Sequence, residues 1–482
     1  MRLTIPRVEV KRYKYSEIDL VPRKFDDFLT DMNYICASNK TDFFHGREKE
    51  IERIFTAFML TNCNNALLVG ERGVGKKSIV QSAVNQVLKE NCPRELEVLH
   101  FFSLNIEKII AIVSSDDRRA NKQVVQLFEY LSTEEDVILV IDQIHLMLQS
   151  SYLAYNLSNL LRMPNIRILG ITTEEDLEDF WVLAPDLLTM VNIIPVQEPN
   201  LNKIYSMISE YIGILAQIHG IAISEDVIDY GISLSHIIPS EQCNPGKITH
   251  AIEKAMVIAK EKKHQSVTRE DFNFNLNLDY EFFNSMSDED KKITAYHETG
   301  HFLVTKMSEN IRDIKTTAIT IVPSEIGDFL GVTLHTREME KQISHNTDYL
   351  IDQIAYYLGG RVAEEILLGE EAKPTTGASS DLIYATQTAR AIVTEFGMID
   401  SYGKNMTSFC NYDLSDLALL SEENKQMIAR ETHSLIEKAY DRAKAILTQN
   451  KELLELIAQK LIENQILDEK DLDSLCSQVI NN

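Results

Sequence analysis

Lys292-Ile293-Thr294-Ala295-Tyr296-His297-Glu298-Thr299-Gly300-His301-Phe302-Leu303-Val304 is the stretch on which the C-terminal half of the chain turns. Within it, His297, Glu298 and His301 spell H-E-x-x-H. Ile293, Tyr296, Gly300 and Val304 recur at spacings of three and four with no proline among them, which predicts a helix. On a helix, residues four apart share a face, so both imidazoles can reach one metal ion. Glu298 lies to the side of that pair, where it can take a proton from water activated there. A five-residue match of this kind arises by chance in roughly a few per cent of chains this long. A catalytic zinc needs three protein ligands, so a third must be found before the motif carries chemistry.

The chain has 482 residues, room for about three domains at roughly 100–200 residues each. Its formal net charge of −25 argues against nucleic acid or an anionic membrane as the main partner, because phosphate binding needs clustered Lys and Arg. Six cysteines are scattered without a C-x-x-C pair, which suits a reducing compartment and excludes a disulfide framework. The N-terminus has no signal-peptide core, and apolar runs such as Val137 to Ile141 fall far short of the roughly 20 residues of a membrane span. A soluble, cytoplasmic protein without a transmembrane segment is expected.

Residues 1–40, polar and charged with Pro6 and Pro22, read as an N-terminal extension. A helix begins near Gly46 to Ile51. The buried-strand pattern Ala66-Leu67-Leu68-Val69 then leads into Gly70-Glu71-Arg72-Gly73-Val74-Gly75-Lys76-Lys77-Ser78. Strand, glycine-rich turn and helix form a phosphate cradle. Gly70, Gly73 and Gly75 let backbone N–H groups wrap the phosphates, and Lys76 reaches the β and γ oxygens. The residue after that lysine should carry a hydroxyl for Mg²⁺, but Lys77 stands there. Ser78 comes one residue late, about 100° around the helix. A second strand ends at Asp142, a position that places Mg²⁺, followed by Gln143, which cannot accept a proton at neutral pH. A third strand ends at Thr172-Thr173, and the chain then turns helical past Glu198-Pro199-Asn200.

The order GREKEIE (46–52), GERGVGKK (70–77), ILVIDQIH (138–145), ILGITT (168–173), VQEPN (196–200) and PGKITHAIEKA (245–255) resembles the first AAA+ module of the Clp unfoldases over about residues 44–270. The resemblance implies Lys76 for phosphate, Asp142 for Mg²⁺ and Thr173 as the γ-phosphate sensor, with ATP and Mg²⁺ as cofactors. Three departures stand out. No aromatic lies near Ile110 to Arg119, where a pore loop belongs. No arginine lies near Asp186 to Val191, where the finger belongs. Lys77 and Gln143 replace the Mg²⁺ hydroxyl and the general base. A missing arginine finger alone costs about 10³–10⁵ in rate, so binding without much hydrolysis is expected.

A new domain begins near residue 279. Beyond the H-E-x-x-H helix, Lys315 to Pro323 reads as a strand. It is either an edge strand able to pair with an extended peptide or an internal strand of a small sheet, and the residues slightly favour the internal place. Helical patterning from Tyr349 to Leu358 meets Gly359-Gly360, which is read as leading into another helix. Thr375 to Leu382 opens a long helix ending near Phe396-Gly397. Two amphipathic helices, about 421–449 and 450–464, precede a short acidic end.

From its position alone Asp381 is an acid at a helix start, where cap and dipole favour it. KKITAYHETGH (291–301), GGRVAEE (359–365), TTGASSDL (375–382), ATQTARAIVTEFGM (385–398) and AYDRAKAIL (439–447) together resemble the peptidase domain of the FtsH family of zinc metalloproteases over about residues 286–475. That resemblance implies zinc bound by His297, His301 and Asp381, with Glu298 as catalytic base and Glu364 as the group orienting a ligand.

The expected fold is an α/β P-loop AAA+ module with a helical lid, followed by a mainly α-helical zinc metallopeptidase domain with a small β-sheet. The divisions are 1–40, 41–199 (large subdomain), 200–278 (lid) and 279–482 (peptidase). The expected function is a soluble zinc metalloendopeptidase cleaving unfolded or loosely folded polypeptides. Its AAA+ module serves assembly or gating, as a homo-oligomer that both resemblances make a hexameric ring. The rivals are an ATP-dependent protease with a working motor and a non-enzymatic, nucleotide-gated adaptor.

Overall fold

Buried runs with a two-residue alternation build the first sheet. The computed structural model describes residues 25–39, 45–115, 118–238, 240–324, 329–337, 345–369, 375–398 and 421–480. Contacts divide it into two units, Met1–Ala222 with Ser240–Ser266, and Ile223–Pro239 with Val267–Asn482.

The chain enters through β1 (Leu29–Asp31), α1 (Met32–Asn39) and α2 (Glu48–Phe58). It continues through β2 (Asn65–Val69), α3 (Lys76–Leu88), β3 (His100–Leu104), α4 (Ile106–Val113), α5 (Arg118–Leu131) and β4 (Val137–Asp142). There follow α6 (Ser151–Leu161), β5 (Ile166–Thr172), α7 (Glu174–Leu183), α8 (Pro185–Leu188), β6 (Val191–Pro195), α9 (Leu201–His219), α10 (Glu225–Ser233) and α11 (Gly246–Glu261). The strands form one sheet in the order β1-β3-β4-β5-β2-β6. All neighbours are parallel except β1 and β3. Leu67, Leu139, Ile141 and Ile168 enter the core on one face. Leu68, Ile138, Val140 and Leu169 enter the core on the other. A parallel sheet covered on both faces requires that near-continuous apolar sequence. Its register brings Val69, Asp142 and Thr172 to one edge, the C-terminal ends of β2, β4 and β5.

The expected boundary at residue 40 is corrected. Leu29, Thr30 and Asp31 pair with Leu104, Ser103 and Phe102, and Phe25, Phe28 and Leu29 are buried in the sheet's core. The segment just before residue 40 therefore completes the sheet; residues 1–24, with Pro6 and Pro22, lie outside the described residues.

The second unit continues with α12 (Arg269–Asn273), α13 (Tyr280–Ser285) and α14 (Asp288–Met307). Then come β7 (Ile314–Thr320), β8 (Val332–Arg337), α15 (Thr347–Leu368), α16 (Ser379–Thr394), α17 (Glu422–Gln449), α18 (Lys451–Asn464), β9 (Ile466–Asp468) and α19 (Glu469–Ile480). Ser287 caps α14 by accepting from the Asp290 N–H, and Asp288, Glu289 and Asp290 fill its first turn, where negative charge meets the positive end of the helix dipole. The three-stranded sheet has the order β8-β7-β9, antiparallel throughout. β7 is therefore internal, the place the sequence favours, and β8 stands at an edge. α15 runs unbroken through Gly359-Gly360, where the sequence suggests two helices. The acidic end is β9 and α19, with Leu467, Leu472, Leu475 and Cys476 in the core.

Candidate metal centre

Helix α14 carries His297, Glu298 and His301 on its buried side, and α16 brings Asp381 in its first turn. His297 Nε2 lies 3.1 Å from His301 Nε2 and 3.1 Å from Asp381 Oδ2, and His301 Nε2 lies 3.4 Å from the same oxygen. Among the described residues these three form a group able to hold a metal ion. An ion held at about 2.0–2.1 Å by three corners of a tetrahedron spaces those corners by roughly 3.3–3.4 Å. The observed triangle fits zinc, and its two nitrogens and one carboxylate oxygen are ordinary zinc donors.

The outer nitrogens fix both rings. His297 Nδ1 lies 2.7 Å from Glu364 Oε1 on α15, and Thr375 donates to Glu364 Oε2 at 2.7 Å. His301 Nδ1 lies 2.8 Å from the carbonyl oxygen of Tyr356. With both Nδ1 atoms so engaged, both Nε2 atoms face the triangle, and in the neutral rings their lone pairs are the ones available to a metal. Burial pulls the His297 imidazolium down, but hydrogen bonds to Asp381 and Glu364 outweigh it and raise its pKa from 6.5 to about 10. Burial also opposes the Asp381 carboxylate, and its hydrogen bonds to His297 and His301 outweigh this and hold it far below the usual range. A cation is what this cluster is built to take.

Glu298 is buried, and its Oε2 accepts from Thr333 of β8 at 2.7 Å. Glu298 is thus tied to the edge strand. Gly360 crosses closest to the rings. A Cβ there would stand 2.5 Å from His297 Nε2 and 2.6 Å from His301 Nε2. Gly300 and Gly359 let α14 and α15 meet backbone to backbone, since a Cβ on Gly300 would lie 2.4 Å from the Gly359 carbonyl oxygen. His335 of β8 stands edge-on to the Tyr356 ring at 4.8 Å, with Nδ1 3.1 Å from Thr316 Oγ1. Burial, with His301 nearby, lowers its pKa to about 3, so this ring stays neutral.

Sequence reading placed five of these residues, His297, Glu298, His301, Glu364 and Asp381, and the structure brings all five together. It missed Thr333, Thr375, Gly360, His335 and the Tyr356 carbonyl. Only the Gly-Gly pair inside a helical pattern was a signal for one of them.

In the first unit, Gly70 follows β2 and Gly73 and Gly75 take φ of +87° and +97°, the left-handed region open to glycine. Lys76 opens α3 and donates to the carbonyls of Gly70 and Glu71. Lys77 Nζ lies 2.7 Å from Asp142 Oδ2, and Gln143 follows at φ 52°. Thr173 caps α7 and donates its hydroxyl to Asp176 at 2.7 Å, so that proton is already committed.

A H-E-x-x-H helix met by a distant aspartate, with the carboxylate of Glu298 beside them, has the layout of a metallopeptidase-type centre. The comparisons narrow this. Residues 284–475 match the model of peptidase family M41, and residues 66–178 match that of the ATPase family associated with various cellular activities. The C-terminal part of the chain is thus similar to M41 peptidases and the N-terminal part to AAA modules. The ATP-dependent zinc metalloprotease FtsH 3 of Synechocystis sp. is 36% identical over 198 residues, 39% of this chain and 31% of that protein. FtsH 4 of Sorangium cellulosum is 38% identical over 197 residues, 39% of this chain and 29% of that protein. The chain thus matches less than a third of the length of these curated relatives. A closed-state cryo-EM reconstruction of Hsp104 with ATPyS and FITC casein is similar at a TM-score of 0.49 and 17% identity, over 60% of this chain and 50% of that one.

Proposed function

We propose that the C-terminal domain is a zinc metalloendopeptidase acting on unfolded or loosely folded polypeptides. The observation that carries this is the triangle of His297 Nε2, His301 Nε2 and Asp381 Oδ2, with edges of 3.1, 3.1 and 3.4 Å. Zinc held there supplies Lewis-acid polarisation of the scissile carbonyl and lowers the pKa of water. Glu298 takes the proton of the attacking water and passes it to the leaving amine nitrogen. Glu364 and the Tyr356 carbonyl hold the two rings in the tautomer this requires. β8 lies at the sheet edge and carries the Thr333 that anchors Glu298. An extended peptide added along β8 is thereby aligned with the base.

The N-terminal module serves assembly or gating in a homo-oligomeric ring and turns ATP over slowly. Lys77, Gln143 and the lack of arginine at 186–191 support slow turnover. A second reading, a protease with a working motor, is favoured by the relatives, which are named ATP-dependent. ATP turnover comparable to that of such motors would establish it. No helix among the described residues is long and apolar enough to cross a membrane.

The test is cleavage of casein with and without a chelator, by the native chain and by Glu298→Gln. Cleavage abolished by both supports the assignment. Cleavage that survives both overturns it.

A further inference from the structure

The AAA family implies Mg²⁺ alongside ATP, and the residues at the Mg²⁺ position do not fit it. Such a site needs a hydroxyl from the residue after the loop lysine and a carboxylate from the end of the following strand. Both elements are in place here, but the first supplies an ammonium. Lys77 Nζ stands 2.7 Å from Asp142 Oδ2. The other oxygen of Asp142 accepts the Gln143 N–H at 3.1 Å. Both oxygens of the carboxylate are therefore engaged by chain donors. Mg²⁺ demands oxygen ligands at about 2.0–2.1 Å in near-octahedral array. An ammonium has no lone pair to give and repels a second cation from the same place.

We propose that this module takes nucleoside di- and triphosphates as metal-free anions, with the Lys77 ammonium standing where Mg²⁺ would bridge the phosphates. The cradle is otherwise complete. Gly73 and Gly75 adopt the left-handed conformation, α3 opens at the mouth with Lys76 as its first residue, and the Lys76 ammonium is held by the carbonyls of Gly70 and Glu71 within the same loop. Lys77 is largely exposed, at 74%. Its pairing with Asp142 is the kind of surface contact that yields easily, so the ammonium can turn to a phosphate while staying near the acid. A single positive charge on a flexible stem cannot organise an in-line displacement as a bridging divalent ion does. Binding without turnover follows.

The experiment is a titration of the full chain with fluorescent ATP and ADP, in Mg²⁺-free buffer and with excess Mg²⁺. No chelator is used, so the peptidase metal is not stripped. For the native chain the dissociation constants should agree within about twofold between the two buffers. Lys77→Thr restores the hydroxyl and should bind ATP at least about tenfold tighter with Mg²⁺ than without. Lys77→Met keeps the stem and removes the charge, and should weaken metal-free binding by about tenfold. Native binding that needs Mg²⁺, no binding in either buffer, a Lys77→Thr variant indifferent to Mg²⁺, or a Lys77→Met variant binding like the native chain would each overturn the proposal. None of these outcomes bears on casein cleavage, so the peptidase assignment stands or falls separately.

Discussion

Gly360 of α15 and His297 of α14 meet so closely that a methyl group on the glycine would lie 2.5 Å from His297 Nε2. Helices normally lose stability at glycine, and this one carries two in succession because Gly360 lies over the imidazoles and Gly359 against the backbone of Gly300, where no side chain fits. Gly360→Ala should displace both rings while leaving the helix intact. The expected outcome is a loss of about 10–100-fold in zinc affinity, with helical circular dichroism retained. Unchanged zinc affinity would mean that the rings have room the structure does not show.

Glu298→Gln keeps the shape of the base and its contact with Thr333, but removes the proton acceptor. Peptide cleavage should fall by about 10²–10⁴, while zinc content stays as in the native chain. Joint loss of metal and activity would instead assign Glu298 to metal binding.

Glu364 holds His297 Nδ1 at 2.7 Å and is itself held by Thr375. Glu364→Ala should cost about 10–100-fold in metal affinity or activity. Thr375→Ala, one bond further out, should cost less. Equal losses in a side-by-side zinc titration would show that Thr375 acts by another route.

The His297 proton gives a pH dependence of definite sign. Its folded pKa, about 10, lies above the ordinary 6.5. In the metal-free chain the resulting stabilisation is full below pH 6.5 and is lost as pH rises through 10. Zinc needs the neutral ring. Uptake near pH 7 should therefore release about one proton, and apparent zinc affinity should rise about tenfold per pH unit up to about pH 9. Calorimetry in buffers of different ionisation enthalpy reads that proton, and none released would refute the pairing with Asp381 and Glu364.

Much of this was legible in the sequence because it is local. Three-four spacing from Ile293 to Val304 carries the α14 helix past His301. The apolar runs of β2, β4 and β5, short and rich in Val, Ile and Leu, read as buried strands. What escaped depends on distant partners. Gly359-Gly360 resembles a break until Gly300 is brought against it, when the same residues become a condition for two helices to touch. β1 is three residues long and is stabilised by β3, some seventy residues away. The acidic end hides its few apolar residues among charges, and its strand exists only by pairing with β7. Lys77 reads as a defect in sequence. Its pairing with Asp142 at 2.7 Å joins two residues far apart in the chain and is seen only in the structure.

Zinc content, measured on the purified native chain and on Asp381→Ala, tests the central claim most directly. A centre formed by His297, His301 and Asp381 predicts a single zinc per native chain and almost none in the variant. A native chain without zinc, or a variant that keeps its full complement, would contradict it.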